Sequence, residues 1–425
     1  MAPSKIFTLE GKGLKLDTAA DAEAHIKPLR DMVDVEEVRL LGNTLGVEAC
    51  EAIGKVLATK KTLQIANLAD IFTGRLLDEI PKAISALLTG LLLLPKLHTI
   101  NLNDNAFGLK TVKPLVEFLK AHVPLQHLIL NNNGLGPYAG IEIADALSAL
   151  HAKKVEARKT DATVPDLETV ICGRNRLEAG SMEAWARAYS LHNGVKVVKM
   201  VQNGIRPQGI QQLLTKGLGN AKGIKTLDLQ DNTFTIKGSK ALAGVVTGWT
   251  EIQELGLGDS LLGSKGAVAF ANSLGKGQNK KLEILRLQFN DITSAGLGVF
   301  AEVAKSSLPA LKKIELNGNK FSEEDSSLTQ LKDLLDDRKE SLAGEVVIED
   351  DWGVDSLSDL ESDDGEDDEE DEEEEEESEL EELREREVEA DEKVRENEPV
   401  VAQKKDPVID DELAGALEKV KISAN

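Results

Sequence analysis

Residues 125–135 read Leu125-Gln126-His127-Leu128-Ile129-Leu130-Asn131-Asn132-Asn133-Gly134-Leu135, and the fold follows from how this stretch is read. Leu128 and Leu130 alternate with Ile129, the signature of a short strand with one buried face. Asn133 lies just beyond that strand. Its amide can bond backbone groups of neighbouring turns that would otherwise be buried and unpaired. Gly134 and Leu135 then lead into a helical stretch.

The same frame, L-x-x-L-x-L-x-x-N-x-L with aliphatic substitutions, recurs along the chain. It appears at Val35, Val38, Leu40, Asn43 and Leu45, and at Leu97, Ile100, Leu102, Asn105 and Phe107. It returns at Leu167, Val170, Cys172, Asn175 and Leu177, with further copies centred on Asn203, Asn232, Asn290 and Asn319. One copy places Ser260 in the Asn position. A degenerate copy around Leu63, Ala66 and Leu68 reaches Ile71 and Phe72 where Asn belongs. Asn positions are mostly 28 to 30 residues apart, with 62 between Asn43 and Asn105 (two periods) and 42 between Asn133 and Asn175. The last spacing implies an insertion near 153–165.

A period of this length with this frame is a leucine-rich repeat. Roughly 15 residues of each repeat remain after the strand, and they read as helix at 46–57, 112–122, 140–150, 209–218 and 238–246. The expected fold class is therefore α/β. It is a horseshoe of the ribonuclease-inhibitor type with about ten to eleven repeats, parallel strands lining the concave face and helices the convex one. Residues 6–16 and 326–347 read as caps that keep the terminal aliphatic faces out of water.

The charge is divided. The 425 residues carry a formal net charge of −25, yet residues 349–425 hold 35 acidic and 8 basic side chains, leaving 40 against 42 in the rest. The expected organisation is a solenoid with caps over 1–348, a disordered acidic tail over 349–403, and a short amphipathic helix within 404–425. In the tail, 18 of residues 361–382 are Asp or Glu, a composition that repels itself and buries nothing. It would repel nucleic acid. It reads either as a solubilising tail or as a means of steering toward a basic partner, a histone or a GTPase surface. The apolar residues Val408, Ile409, Leu413, Leu417 and Val420 mark the helix.

Other classes find little support. The opening 17 residues lack the apolar core of a secretory signal. The most apolar stretch, 84–97, is broken by Ser85, Thr89, Gly90, Pro95 and Lys96 and is shorter than the roughly 20 residues a bilayer requires. Two cysteines, Cys50 and Cys172, fit no disulfide framework and point to a reducing compartment. Six scattered histidines give no metal-ligand spacing. The stretch from Gly258 to Lys265 imitates a phosphate loop with its final Lys and Ser inverted, and it falls on a strand-to-helix turn. No metal and no cofactor are expected.

Two irregularities stand out against the frame. Residues 69–75, Ala-Asp-Ile-Phe-Thr-Gly-Arg, lose the Asn and put Arg75 on a loop at the C-terminal side of a strand. In Asn131-Asn132-Asn133, the last is the ladder residue, and Asn132 just before it should leave the strand end and face outward.

With DIFTGR at 70–75, LNNNGLGPYAG at 130–140, VICGRNRLEAGS at 170–181, VQNGIRPQGI at 201–210, LDLQDNTFT at 227–235 and LNGNKFSEED at 316–325 followed by the acidic tail, nearly the whole chain resembles the Ran GTPase-activating proteins. The likeness is to the yeast and fungal type, without the C-terminal SUMO-acceptor domain of animal members. The resemblance implies a cytoplasmic or perinuclear monomer supporting nucleocytoplasmic transport. Its partner would be Ran·GTP, alone or with a Ran-binding protein, and neither nucleic acid nor membrane. Mg and GTP would belong to the GTPase. The chain would be an activator in trans rather than an enzyme. It also implies that no arginine finger is used and that an Asn orients the GTPase's own glutamine. That Asn is Asn132, with Asn131 the alternative register. Arg75 supports from the interface, and Arg174 docks an acidic patch. Leu76 and Leu77 stand where the family pattern leads one to expect a basic residue. Two other functions compete: a non-catalytic repeat scaffold or inhibitor, and an acidic histone-binding repeat protein.

Overall fold

The computed structural model describes residues 5–342 and 352–361. Among the described residues twelve strands form one parallel sheet in simple sequence order, starting at Ile6–Thr8 and ending at Gly353–Val354. Each three-residue strand presents its middle residue to the core, and these residues pair directly: Phe7 with Val38, Val38 with Ala66, Ala66 with Ile100, Ile100 with Leu128. Leu128, Val170, Val198 and Leu227 continue the same row. The degenerate repeat joins without a slip, contributing Ala66 from Ile65–Asn67. A slip of one residue would turn every aliphatic side chain to solvent, so the repeating L-x-L fixes the register.

The helices pack in sequence against their neighbours, Val47–Leu57 on Ile80–Leu92 and Lys113–Ala121 on Gly136–Ala157 among them. Strands repeat every ~4.8 Å while packed helices need about 8–10 Å, so stacking the two layers curves the solenoid with the sheet on the inside. The core is one continuous aliphatic cluster from Phe7 to Leu357, filled out by Trp185, Tyr189 and Trp249. Among the described residues no helix is long and apolar enough to cross a membrane. The expected helix at 209–218 is Pro207–Gln212 followed by a single wide turn, Leu213–Gly217.

The insertion is absorbed on the convex side. Gly136–Ala157 runs 22 residues instead of the usual three turns, and the sheet does not register it, since Ile129 still pairs with Ile171. Lys154, on this helix, is 1 % exposed. Its Nζ donates to the carbonyls of Val123, Leu125 and Pro165 at 2.7, 2.7 and 2.8 Å. It thereby ties the inserted loop to the turn of the preceding repeat. Burial, with Arg158 nearby, pulls its ammonium down to about 8.

Lys154 belongs to a set of donors at the edge where each helix returns to the next strand. Lys60 Nζ reaches the carbonyls of Arg30 and Met32, and the imidazoles of His122 and His192 reach those of Leu97 and Leu147. Trp249 Nε1 reaches Leu218, Asn279 reaches Val246 and Trp249, and Arg338 reaches Leu311 and Ala304. Helix ends and the turns after them leave carbonyls unpaired, and at these places the following repeat supplies the donor; Leu147, inside the helix Gly136–Ala157, is the exception.

The sheet extends past the expected solenoid boundary at 348. Gly353–Val354 pairs with Lys313–Glu315, and Asp355 accepts the backbone N–H groups of Leu316 and Asn317 at 2.6 and 3.2 Å. Trp352 donates to the Leu335 carbonyl at 2.8 Å and Leu357 joins the core. Acidic composition masked this last strand, because Asp351, Asp355 and Asp359 count toward the tail in any tally of charge. The remaining acidic stretch and the helix expected within 404–425 lie outside the described residues.

Candidate functional site

At the C-terminal ends of the strands the ladder is as the repeat implies. The Oδ1 of Asn133 accepts the backbone N–H of Asn105 at 2.8 Å, that of Asn175 accepts from Asn133 at 2.8 Å, and that of Asn203 from Asn175 at 2.9 Å. Their Nδ2 groups donate to carbonyls of the strand before, Leu102, Leu130 and Cys172. These amides are at most 1 % exposed. They are structural, and their work frees the residue just before each of them.

That preceding residue forms a column. Gly42, Asp70, Asp104, Asn132, Arg174, Gln202, Asp231, Asp259, Phe289 and Gly318 all have φ between +47° and +72°. Gly, Asn and Asp visit this left-handed region readily, whereas other side chains pay about 1 kcal/mol or more. The constraint is written in the sequence as Gly, Asp or Asn at seven of these ten places, one before the ladder position. Arg174, Gln202 and Phe289 are the costly occupants, and all three are exposed.

Asn132 is exposed with φ +53°, and its backbone N–H donates to Gly173 at 2.9 Å. Its side-chain Nδ2 donates to Asp104 Oδ1 at 2.7 Å. Asn131 has a different situation. It is half-buried, its N–H donates to Asn103 Oδ1 at 2.7 Å, and its own Oδ1 accepts from Gly173 N–H at 2.5 Å. A Cβ on Gly173 would lie 3.1 Å from that oxygen. Arg174 stands next to Asn132 in the column, one repeat along, with its side chain in solvent.

Arg75 turns inward. Its side chain is 9 % exposed. Nε donates to Thr44 Oγ1 at 3.0 Å, one terminal nitrogen to Asp17 at 2.6 Å, and the other to the carbonyls of Thr44 at 2.9 Å and Leu16 at 3.4 Å. The guanidinium thus binds the first repeats where Ile71 has replaced the ladder Asn. Gly46 leaves the space, since a Cβ there would meet Asp17 O at 2.7 Å and Arg75 at 3.2 Å. The Arg75 hydrogen bond holds the Asp17 carboxyl below its usual range. Leu76 and Leu77 beside it are 70 % and 58 % exposed.

Farther along the same edge a groove of about 420 Å³ is lined by Arg176, Glu178, Gln202, Asp231, Asp259 and Leu261. Burial pushes the Asp231 carboxyl up, Asp259 adds to the rise, and a hydrogen bond from Gln202 opposes it. The thiols are inert by position: burial pushes both Cys50 and Cys172 up to about 12. The stretch from Gly258 to Lys265 is a strand-to-helix turn opening the helix Gly263–Leu274. Among the described residues no group of three or more His, Cys, Asp or Glu is placed to hold a metal.

Comparison with known proteins adds three relatives and one family model. The Leucine Rich repeat model matches residues 278–301. Ran GTPase-activating protein 1 of Saccharomyces cerevisiae is 39 % identical over 341 residues, 78 % of this chain and 83 % of that protein. Ran GTPase-activating protein 1 of Xenopus laevis is 40 % identical over 202 residues, 47 % of this chain and 34 % of that one. The Drosophila melanogaster Ran GTPase-activating protein is 32 % identical over 323 residues, 75 % of this chain and 53 % of that one.

Proposed function

From the premise that the chain belongs to the Ran GTPase-activating protein family, we propose that it binds Ran·GTP through the C-terminal edge of its sheet and accelerates GTP hydrolysis in trans, in support of nucleocytoplasmic transport. GTP hydrolysis by a small GTPase is slow because its glutamine and the attacking water are poorly ordered, and partner contacts speed it by about 10³–10⁵. Asn132 supplies that order by holding the glutamine of Ran. The catalysis is positional; the nucleotide and Mg remain the partner's.

The observation that carries this reading is the environment of Asn132. It is an outward-facing amide on a rigid rung, fixed by Gly173 behind it and Asp104 beside it. Arg75 contributes differently from an arginine finger. A finger must reach the partner's phosphates, whereas every nitrogen of this guanidinium is engaged within the first repeats. Its part is to hold the loop 70–79 and the first repeats in place beneath the interface. Arg174, exposed next to Asn132, docks an acidic patch of the GTPase.

The test is single-turnover GTP hydrolysis by Ran with increasing amounts of this protein, paired with a Ran·GTP binding measurement. Asn132→Ala should lower the limiting stimulated rate and leave binding nearly intact. Equal losses in both would refute the orienting role. No stimulation by the unaltered protein would leave the scaffold and histone-binding readings.

A further inference from the structure

A side-chain amide has two faces, a donor Nδ2 and an acceptor Oδ1, and only one of them suits a given partner. We infer that Asp104 is the positioning residue that decides which face Asn132 offers, an inference that rests on the orienting role proposed for Asn132. Asp104 sits on the neighbouring rung, with φ +62° and its N–H donating to the Asn131 carbonyl at 3.0 Å. Its carboxylate accepts from Asn132 Nδ2 at 2.7 Å.

A carboxylate only accepts hydrogen bonds. The Asn132 amide therefore keeps its NH₂ turned to Asp104, and its Oδ1, to which no described residue donates, is turned out as an acceptor. A glutamine side chain of the partner meets that acceptor with its own NH₂. The glutamine carbonyl is then left to accept from the attacking water, the orientation that hydrolysis requires. The reversed amide would attract the glutamine carbonyl and withdraw it from the water. Because the acceptor is charged, the bias is about twice that of a neutral hydrogen bond.

Asp104→Asn is the decisive variant. Asn tolerates the left-handed backbone as well as Asp, but its side chain can either accept from Asn132 or donate to it, so the bias is lost. The expected result in single-turnover hydrolysis by Ran is a roughly twofold lower limiting rate, because an amide without a bias offers its acceptor face about half the time. The half-saturating concentration stays unchanged. In an Asn132→Ala background the same substitution should do nothing more. An unaltered rate for D104N, with N132A impaired, would overturn the role of Asp104 while sparing that of Asn132. So would a loss confined to the half-saturating concentration that added salt removes, since that is electrostatic steering. If N132A itself stimulates normally, the reading of Asn132 fails and this inference with it.

Discussion

The two edges of the sheet solve the same problem in opposite ways. Both would leave backbone groups buried and unpaired at every repeat. At the C-terminal edge one residue type, Asn, recurs at one position and satisfies donors and acceptors together, as Asn133 and Asn175 do. The next residue outward is thereby released from structural duty. At the opposite edge the donors include two lysines, two histidines, a tryptophan, an asparagine and an arginine, each engaged by carbonyls of the repeat before. Nothing is released there. An edge whose structural work is done by a regular inner row can carry a variable outer row, and that is where Asn132, Asp104 and Arg174 stand.

This contrast can be broken by experiment. The largest effect should come from Lys154→Met, which removes one donor from three carbonyls and should lower unfolding free energy by about 3 kcal/mol or more. Stimulation of Ran per folded molecule should remain normal; a matching loss of stimulation would mean that this edge takes part in function. Asn132→Ala should behave in reverse, with stimulation down about a hundredfold, ~2.7 kcal/mol of transition-state stabilisation. Its unfolding free energy should fall by only about 1 kcal/mol, the cost of Ala in the left-handed backbone at this position. Arg75→Ala belongs to both classes. It uncovers the carbonyls of Thr44 and Leu16 and should cost about 2 kcal/mol of stability together with a several-fold loss of stimulation. Arg75→Ala with full stability would show that the inward bonds are dispensable.

The smallest effect is a pH dependence. His122 and His192 are buried as neutral imidazoles, and burial pulls both from 6.5 down to about 4. The unfolded chain binds more protons between these values, so stability falls as pH drops from about 7 toward 4 and levels off below. The two together should lose about 1 kcal/mol between pH 7 and pH 6. Urea titrations at the two pH values check it; a flat result would mean the imidazoles titrate in place. His122→Gln, which retains a donor for the Leu97 carbonyl, should weaken the slope.

The sequence was legible where chemistry repeats. The strand rows, the Asn ladder and the outward position of Asn132 follow from the frame alone, because each repeat restates them. The donor edge was not legible, since seven unlike positions share only their location at a helix end and no frame connects Lys60 to Trp249. Arg75 was located on its loop correctly, but its direction depends on the vacancy left by Ile71 and on the bare Cα of Gly46, two facts about other repeats. Asp104 was missed for a similar reason. Its role exists only across a rung, 28 residues from Asn132 in sequence.

The insertion carried by the helix Gly136–Ala157 has one more consequence. It lengthens the outer layer and leaves the pairing of Ile129 with Ile171 untouched, so neighbouring positions of the outer row stay about 4.8 Å apart. The edge behaves as a ruler whose graduations are set by hydrogen bonds between strands, while any spare length is taken up on the back. Such a molecule can gain or lose residues behind Asn132 and Arg174 during its evolution without altering the interval at which a partner meets them.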